Sequence, residues 1–444
     1  MQTILKGTDT TFIKAKKPPM LEKAVVYEAP KKSKSKQTVF FANPPAILSG
    51  GSVVAKRESL GPVGDFFDLV VDGDKHKKNF EQAESAMLKD AIEIATFKAK
   101  IELEDIDMLL AGDLLNQITS SSYTARDLQL PFMGLYSACA TFCQSLAIGA
   151  CMLDAGYFKT IACASVSHFA TAERQYRNPL EYGAQRPPFA QWTVTGAGCA
   201  VLVAEPQAMR QMRNEANEAN ECAAEAANDL SKEQPFCQST SATFGQLGTV
   251  PFKSTNNSSH TSSSSTFKGD CPQLHDGQQA YPRITSATFG KPIDFGIDDA
   301  ANMGAAMAPA ALDTLKKMLI DTGYSVDDFD LIVTGDLGKL GSDILRDIAK
   351  DEGIVLGQNY TDCGTLIYNK EQGCYQGGSG AGCSAAVFNG FLLDRINSGV
   401  YRRVALLATG ALMSPMSNFQ GETIPSICHG VVIERSGVSL NSEK

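Results

Sequence analysis

Apolar residues recur at helical spacing over residues 80–100 and again over 308–322, which predicts two helices, each with one face turned to a core. Each of these segments runs through an acidic turn into a short apolar stretch that ends at Gly-Asp-Leu. The first copy reads Glu104-Asp-Ile-Asp-Met-Leu-Leu-Ala-Gly-Asp-Leu114, and the second reads Asp327-Asp-Phe-Asp-Leu-Ile-Val-Thr-Gly-Asp-Leu337. A small-residue segment, a helix and a strand then follow in both places. In the first they are Ser137-Ala-Cys-Ala-Thr-Phe142, a helix through Leu153, and Thr160-Ile-Ala-Cys-Ala164. In the second they are Gly377-Gly-Ser-Gly-Ala-Gly-Cys383, a helix through Ile396, and Arg403-Val-Ala-Leu-Leu-Ala408. Leu153-Asp154 and Leu393-Asp394 fall at matching points. Strands alternating with helices predict an α/β protein with mixed or parallel sheets packed between helix layers. The repeat predicts two pseudo-symmetric halves, with a site at their junction.

Two stretches lie outside this pattern. Residues 1–38 hold nine lysines against Asp9, Glu22 and Glu28, so they are predicted to form a basic, solvated arm that buries too little to fold alone. The sharper alternative is an arm drawn to anionic lipid headgroups, at about 1 kcal/mol per lysine. Between residues 239 and 266, 15 of 28 are Ser or Thr, and residues 206–267 include only seven Val, Leu or Phe. That is too little apolar surface to offset ordering, so residues 206–282 are predicted to be a low-complexity, largely disordered insertion. The halves are then 39–205 and 283–444.

Composition narrows the class. The chain has 444 residues with a hydrophobic share of 43%, long enough for two or three domain-sized cores. A net charge of −9 argues against a nucleic-acid binder, since no overall positive field would hold phosphates. No window approaches the ~18 uninterrupted apolar residues of a membrane span, and the N-terminus shows no signal-peptide core. Twelve cysteines without a CxxC pair or zinc spacing are read as reduced, intracellular thiols, with no metal site and no cofactor.

Cys139 stands where a small-residue turn enters a helix, and the exposed N–H groups and dipole of a helix start favour a thiolate. The competing reading is a small buried hydrophobe. Around it, Ser-Ala-Cys-Ala-Thr-Phe resembles the nucleophile turn of the thiolase superfamily, and in particular ketoacyl synthase III. Val194-Thr-Gly-Ala-Gly-Cys-Ala-Val-Leu-Val203 resembles the same family's glycine-bearing strand entry. Three further stretches resemble the stage V sporulation protein AD family. They are Thr171-Ala-Glu-Arg-Gln-Tyr-Arg-Asn-Pro-Leu-Glu-Tyr-Gly-Ala-Gln-Arg-Pro-Pro-Phe-Ala-Gln-Trp-Thr-Val-Thr195, Pro282-Arg-Ile-Thr-Ser-Ala-Thr-Phe-Gly290 and Asn302-Met-Gly-Ala-Ala-Met-Ala-Pro309. The resemblance covers roughly residues 38–205 and 283–435, and residues 206–276 depart from the family's pattern. It implies a thiolase-like fold, two pseudo-duplicated halves in a five-layer α-β-α-β-α sandwich. It also implies a dipicolinic acid-binding protein that takes part in dipicolinate uptake by the forespore, peripheral at the spore inner membrane. Other stage V sporulation membrane proteins would be its partners. Dimerisation through the first half is common in the superfamily, so a homodimer is an expectation from the resemblance alone.

Condensing enzymes of that superfamily stabilise an enolate with a His and an Asn, or with two His. Matched by position, those donors would fall at Gly335, Gly338 and within residues 377–384, which hold no His or Asn. One lost donor typically costs about 2.7–4 kcal/mol of transition-state stabilisation, which predicts little condensation and a vestigial Cys139. The alternative is a Cys-dependent acyl transferase or thioesterase, with His429 or His168 as base.

A planar ring flanked by two carboxylates calls for guanidinium or backbone donors and a flat apolar wall. His168, Arg174, Tyr176, Arg177, Tyr182, Arg186, Gln191 and Trp192 offer that mixture, with Cys139 on the pocket floor and His429 within reach. Calcium would accompany the ligand as counterion. The competing reading pairs Arg174 and Arg177 with Glu173 and Glu181 and leaves Trp192 to pack. A third possibility is a scaffold whose old pocket is filled.

Overall fold

The computed structural model describes residues 35–72, 78–176, 187–204 and 281–435. Residues 1–34 of the basic arm, the body of the 206–282 segment and the stretch holding Arg177, Tyr182 and Arg186 lie outside the described residues, while Thr38, expected in the solvated arm, is buried at the start of a strand.

The first half contributes β1 (Thr38–Phe40), β2 (Ala46–Ala55), β3 (Leu69–Val71), β4 (Met108–Gly112), β5 (Phe132–Gly134), β6 (Thr160–Ser167), β7 (Trp192–Thr193) and β8 (Gly196–Val203). The second contributes β9 (Pro282–Thr288), β10 (Leu331–Thr334), β11 (Tyr360–Asp362), β12 (Gly378–Ser379), β13 (Arg403–Ala411) and β14 (Ser426–Arg435). Strand order is β5-β4-β6-β8-β2 in one half and β11-β10-β13-β14-β9 in the other. In each, the first three strands pair in parallel and the last two antiparallel. The two sheets touch at Ala46 and Arg283.

The main helices are α1 (Phe80–Ala99), α2 (Thr119–Leu128), α3 (Thr141–Asp154), α4 (Phe169–Tyr176), α5 (Met303–Thr322), α6 (Gly338–Asp351), α7 (Cys363–Ile367) and α8 (Ala381–Val387), the last continuing through a π turn at Phe388–Leu392. Helices α1 and α2 cover the outer face of the first sheet, and α5 and α6 that of the second. Helices α3 and α8 lie between the sheets, where the Phe142 and Phe388 rings meet at 5.6 Å, both fully buried. The result is the thiolase-like α-β-α-β-α sandwich.

The acidic turns of the repeat have a structural cause. Asp107 accepts the N–H groups of Lys159 and Thr160 at 2.7 and 3.0 Å, and Asp330 accepts those of Arg402 and Arg403 at 2.7 and 2.8 Å. Each acid thereby ties the entry of one parallel strand to its neighbour, in both halves. One element differs from its expected bounds. Helix α5 begins at Met303, five residues before the periodic stretch, because its first turn packs backbone to backbone. A Cβ on Gly304 would lie 3.1 Å from Gly341 N, and Met303, Ala306 and Met307 around it carry the apolar face into the core.

Glu58 joins the halves. Its Oε1 accepts the Thr195 N–H of the first half at 3.0 Å and the Tyr368 hydroxyl of the second. Burial raises its pKa from 4.5 to about 7. The folded state therefore holds this proton more tightly than the unfolded chain, and its contribution is lost as pH rises between about 4.5 and 7. Glu58→Gln abolishes that slope. The variant should gain stability relative to the parent by a few kcal/mol on raising pH from 4.5 to 7.5, on the order of 1.4 kcal/mol per unit. Parallel pH profiles of denaturant unfolding would contradict this.

Candidate functional site

The loop from β5 to α3 carries Cys139 to the seam between the halves. Ala138 takes a left-handed backbone at φ 49°, a conformation uncommon for a residue with a Cβ. The turn is closed by Ala140 N–H donating to Ser137 O at 3.0 Å and by the Thr141 hydroxyl donating to Ala138 O at 2.7 Å. The second half approaches closely, since a Cβ on Gly410 of β13 would lie 2.2 Å from Ser137 O. Glycine is required at that crossing.

Cys139 forms part of the wall of a cavity of about 410 Å³, counting its opening to solvent. The first half supplies Leu114, Tyr136, Ala172 and Tyr176, and the second supplies Met303, Ser379, Gly380, Ala411 and Met413. Tyr136 is 43% exposed at the mouth. Its hydroxyl lies 3.3 Å from that of Tyr176, which donates to the Leu114 carbonyl. Burial raises both phenol pKa values, so each remains an O–H donor. The lining is thus apolar and hydroxyl-bearing, without a charged side chain among the described residues.

Beneath the thiol lies Asp336, from the second Gly-Asp-Leu. Its carboxylate accepts the Cys139 S–H, the Gly380 N–H at 3.1 Å, the Ser379 hydroxyl at 3.2 Å and the Thr409 hydroxyl at 2.9 Å. Burial raises its pKa, and these donors oppose the rise. Behind it, Asp362 accepts the Thr334 hydroxyl and the Leu337 N–H at 2.8 Å each, the Gly338 N–H at 2.9 Å and the Thr365 N–H at 3.1 Å. Burial first, with the charge of Asp336 adding to it, raises its pKa to about 7.

The candidates from the sequence are dispersed around this centre. His429 is buried beside the cysteine turn but does not line the cavity. Its Nδ1 accepts the Gly290 N–H at 3.3 Å, so Nε2 carries the proton and faces the Ser137 hydroxyl at 3.2 Å. Burial lowers its pKa to about 4. His168 is also buried, stacked on Phe80 at 5.5 Å, with Nδ1 accepting the Ala170 N–H. Arg174 pairs with Glu81 at the surface. Trp192 stacks on Phe169 at 4.2 Å and under Arg57 at 3.9 Å, a packing role. Gln191 donates to the Asp336 carbonyl at 2.6 Å and the Gly378 carbonyl at 2.9 Å, bracing the floor from behind.

Two of the positions where the resemblance places enolate donors are cramped. A Cβ on Gly338, whose φ is +64°, would lie 2.4 Å from Gln376 O, and one on Gly335 3.0 Å from the Ala408 backbone. Sequence reasoning did not single out Asp336 or Tyr136, whereas Tyr176 was among the candidates and does line the cavity. The duplicated Gly-Asp-Leu was the available signal for the first, because its counterpart Asp113 is likewise a buried acceptor, of Leu115 and Ser121 N–H at 2.8 Å each.

Comparison with known proteins gives a consistent picture. The family model described as stage V sporulation protein AD (SpoVAD) matches residues 35–231 and 249–434. It therefore runs through most of the 206–282 segment, and the departure from the family narrows to residues 232–248. The chain is 38% identical over 404 residues to stage V sporulation protein AD of Bacillus subtilis (strain 168), covering 90% of this chain and 98% of that one. Among solved structures it is similar to an OleA variant of Xanthomonas campestris, with 13% identity, a TM-score of 0.49, and coverage of 89% of this chain and 99% of that one. It is also similar to 3-oxoacyl-(acyl-carrier-protein) synthase III of Aquifex aeolicus VF5, with 10% identity, a TM-score of 0.44, and coverage of 88% and 99%.

Proposed function

Since the chain belongs to the stage V sporulation protein AD family, we propose that this spore-related protein binds dipicolinic acid without catalysis and takes part in its uptake into the developing spore. The observation that carries the reading is the inter-half cavity. Tyr136 and Tyr176 wall it with flat rings, and among the described residues its lining holds no imidazole beside the thiol, only the buried Asp336 carboxylate beneath it. The two ligand carboxylates need cations that the described lining does not supply. Arg177, next in the chain after the lining residue Tyr176, and Arg186 are the candidates, with calcium as the alternative counterion. Among the described residues no helix is long and apolar enough to cross a membrane, so attachment at the inner membrane would run through other stage V proteins.

Titration calorimetry on the folded protein tests this. Dipicolinate should bind the parent and the Cys139→Ala variant alike, while Tyr136→Ala or Arg177→Ala should weaken binding about tenfold, 1.4 kcal/mol. No heat with the parent would sink the reading. The left-handed Ala138 before a buried thiol favours the second reading, acyl transfer through Cys139. An acyl-CoA mass adduct that Cys139→Ser removes would establish it.

A further inference from the structure

We propose that the cavity floor is a carboxylate-binding site already filled by the protein's own Asp336, which holds Cys139 as a thiol and takes the donors a thioester oxygen would require. This rests on the non-catalytic reading above and gives it a residue. Four donors from separate elements converge on one carboxylate: the Cys139 S–H at the entry of α3, the Ser379 hydroxyl of β12, the Gly380 N–H at the start of α8, and the Thr409 hydroxyl of β13. A carboxylate offers about four lone-pair sites, so Asp336 can accept from all of these donors at once and leaves none of them for a ligand oxygen. Two consequences follow from its position. Ionising Cys139 would set a second negative charge against Asp336, which disfavours the thiolate. The Gly380 N–H, a backbone donor beside the sulfur and so suited to a developing oxyanion, is already bonded to an anion. Gln191 holds the Asp336 backbone through its carbonyl, and the carboxylate cannot swing aside without breaking its own bonds to Ser379, Gly380 and Thr409.

The site so defined takes a small carboxylate once its occupant is removed. In Asp336→Ala, formate should raise the thermal midpoint saturably, while chloride at equal ionic strength should not, and the parent should respond to neither. Independently, in Asp336→Asn the rate of carbamidomethylation of Cys139 by iodoacetamide, followed by peptide mass mapping, should rise about tenfold or more at neutral pH, equivalent to removing one like-charge neighbour. Formate should slow that reaction in Asp336→Ala. Alkylation rates at Cys139 equal in parent and Asp336→Asn would overturn the proposal even if the alanine variant does not fold. So would a folded Asp336→Ala that formate leaves unchanged. Dipicolinate calorimetry on the parent reports separately on the ligand reading, since neither the formate response nor the alkylation rate depends on it.

Discussion

Phe142→Ala should lower the stability of the fold by about 3–5 kcal/mol, the usual cost of deleting a fully buried phenyl ring. Phe142 is on α3 and Phe388 opens the π turn after α8. Their rings touch in the middle layer, where both sheets converge, and neither has access to solvent. Collapse around the void is restricted on both sides. On the α8 side, a Cβ on Gly382 would already lie 1.9 Å from Gly196 O, and one on Gly198 2.2 Å from Ala385 O, so the helix rests on the strand without slack. Denaturant unfolding with an unchanged m-value checks the prediction. A loss below about 1 kcal/mol would mean that the layer relaxes to fill the gap.

Asp362→Ala should cost at least about 3 kcal/mol. Three backbone N–H groups and one hydroxyl converge on this carboxylate, and each buried donor left without a partner typically costs about 1–3 kcal/mol. Asp362→Asn is not a rescue, since its amide nitrogen would face a donor. Linkage adds a signature. The pKa of Asp362 is raised from 3.8 to about 7, so the folded form retains a proton that the unfolded chain releases, and stability declines as pH rises through that window. The penalty of the alanine variant should therefore be larger near pH 4 than near pH 8. Equal penalties at the two pH values would argue against burial as the cause of the shift.

The repeat made the architecture legible in the sequence. Acidic turn, apolar run and Gly-Asp-Leu recur because each half needs the same strand clamp, Asp107 in one and Asp330 in the other, and the same buried acceptor, Asp113 and Asp336. Cys139 was visible because small residues at a helix entry are conspicuous. Asp336 was not, since nothing local distinguishes a buried acid from a turn acid. Its role depends on Ser379, Gly380 and Thr409, which the fold brings to it from 43 to 73 residues away. Trp192 and Arg174 stood out by residue type, yet their partners Phe169, Arg57 and Glu81 give them packing and surface pairing. Residue type marks what a side chain can do, whereas its neighbours decide which option is used.

Gly338 limits what a single substitution can change at the seam between the halves. Its left-handed backbone and the Gln376 carbonyl pressed against it mean that a codon change alone cannot reinstate a polar side chain there. The residue would be strained, and the segment carrying Gln376 would have to move first. Gln191, braced against the same glycine, would have to yield as well. A side chain at this position would thus require coordinated change in three separate stretches of chain. Such a backbone acts as a ratchet: drift in the surrounding residues can tune what the cavity holds, while a side chain at Gly338 stays closed to single steps.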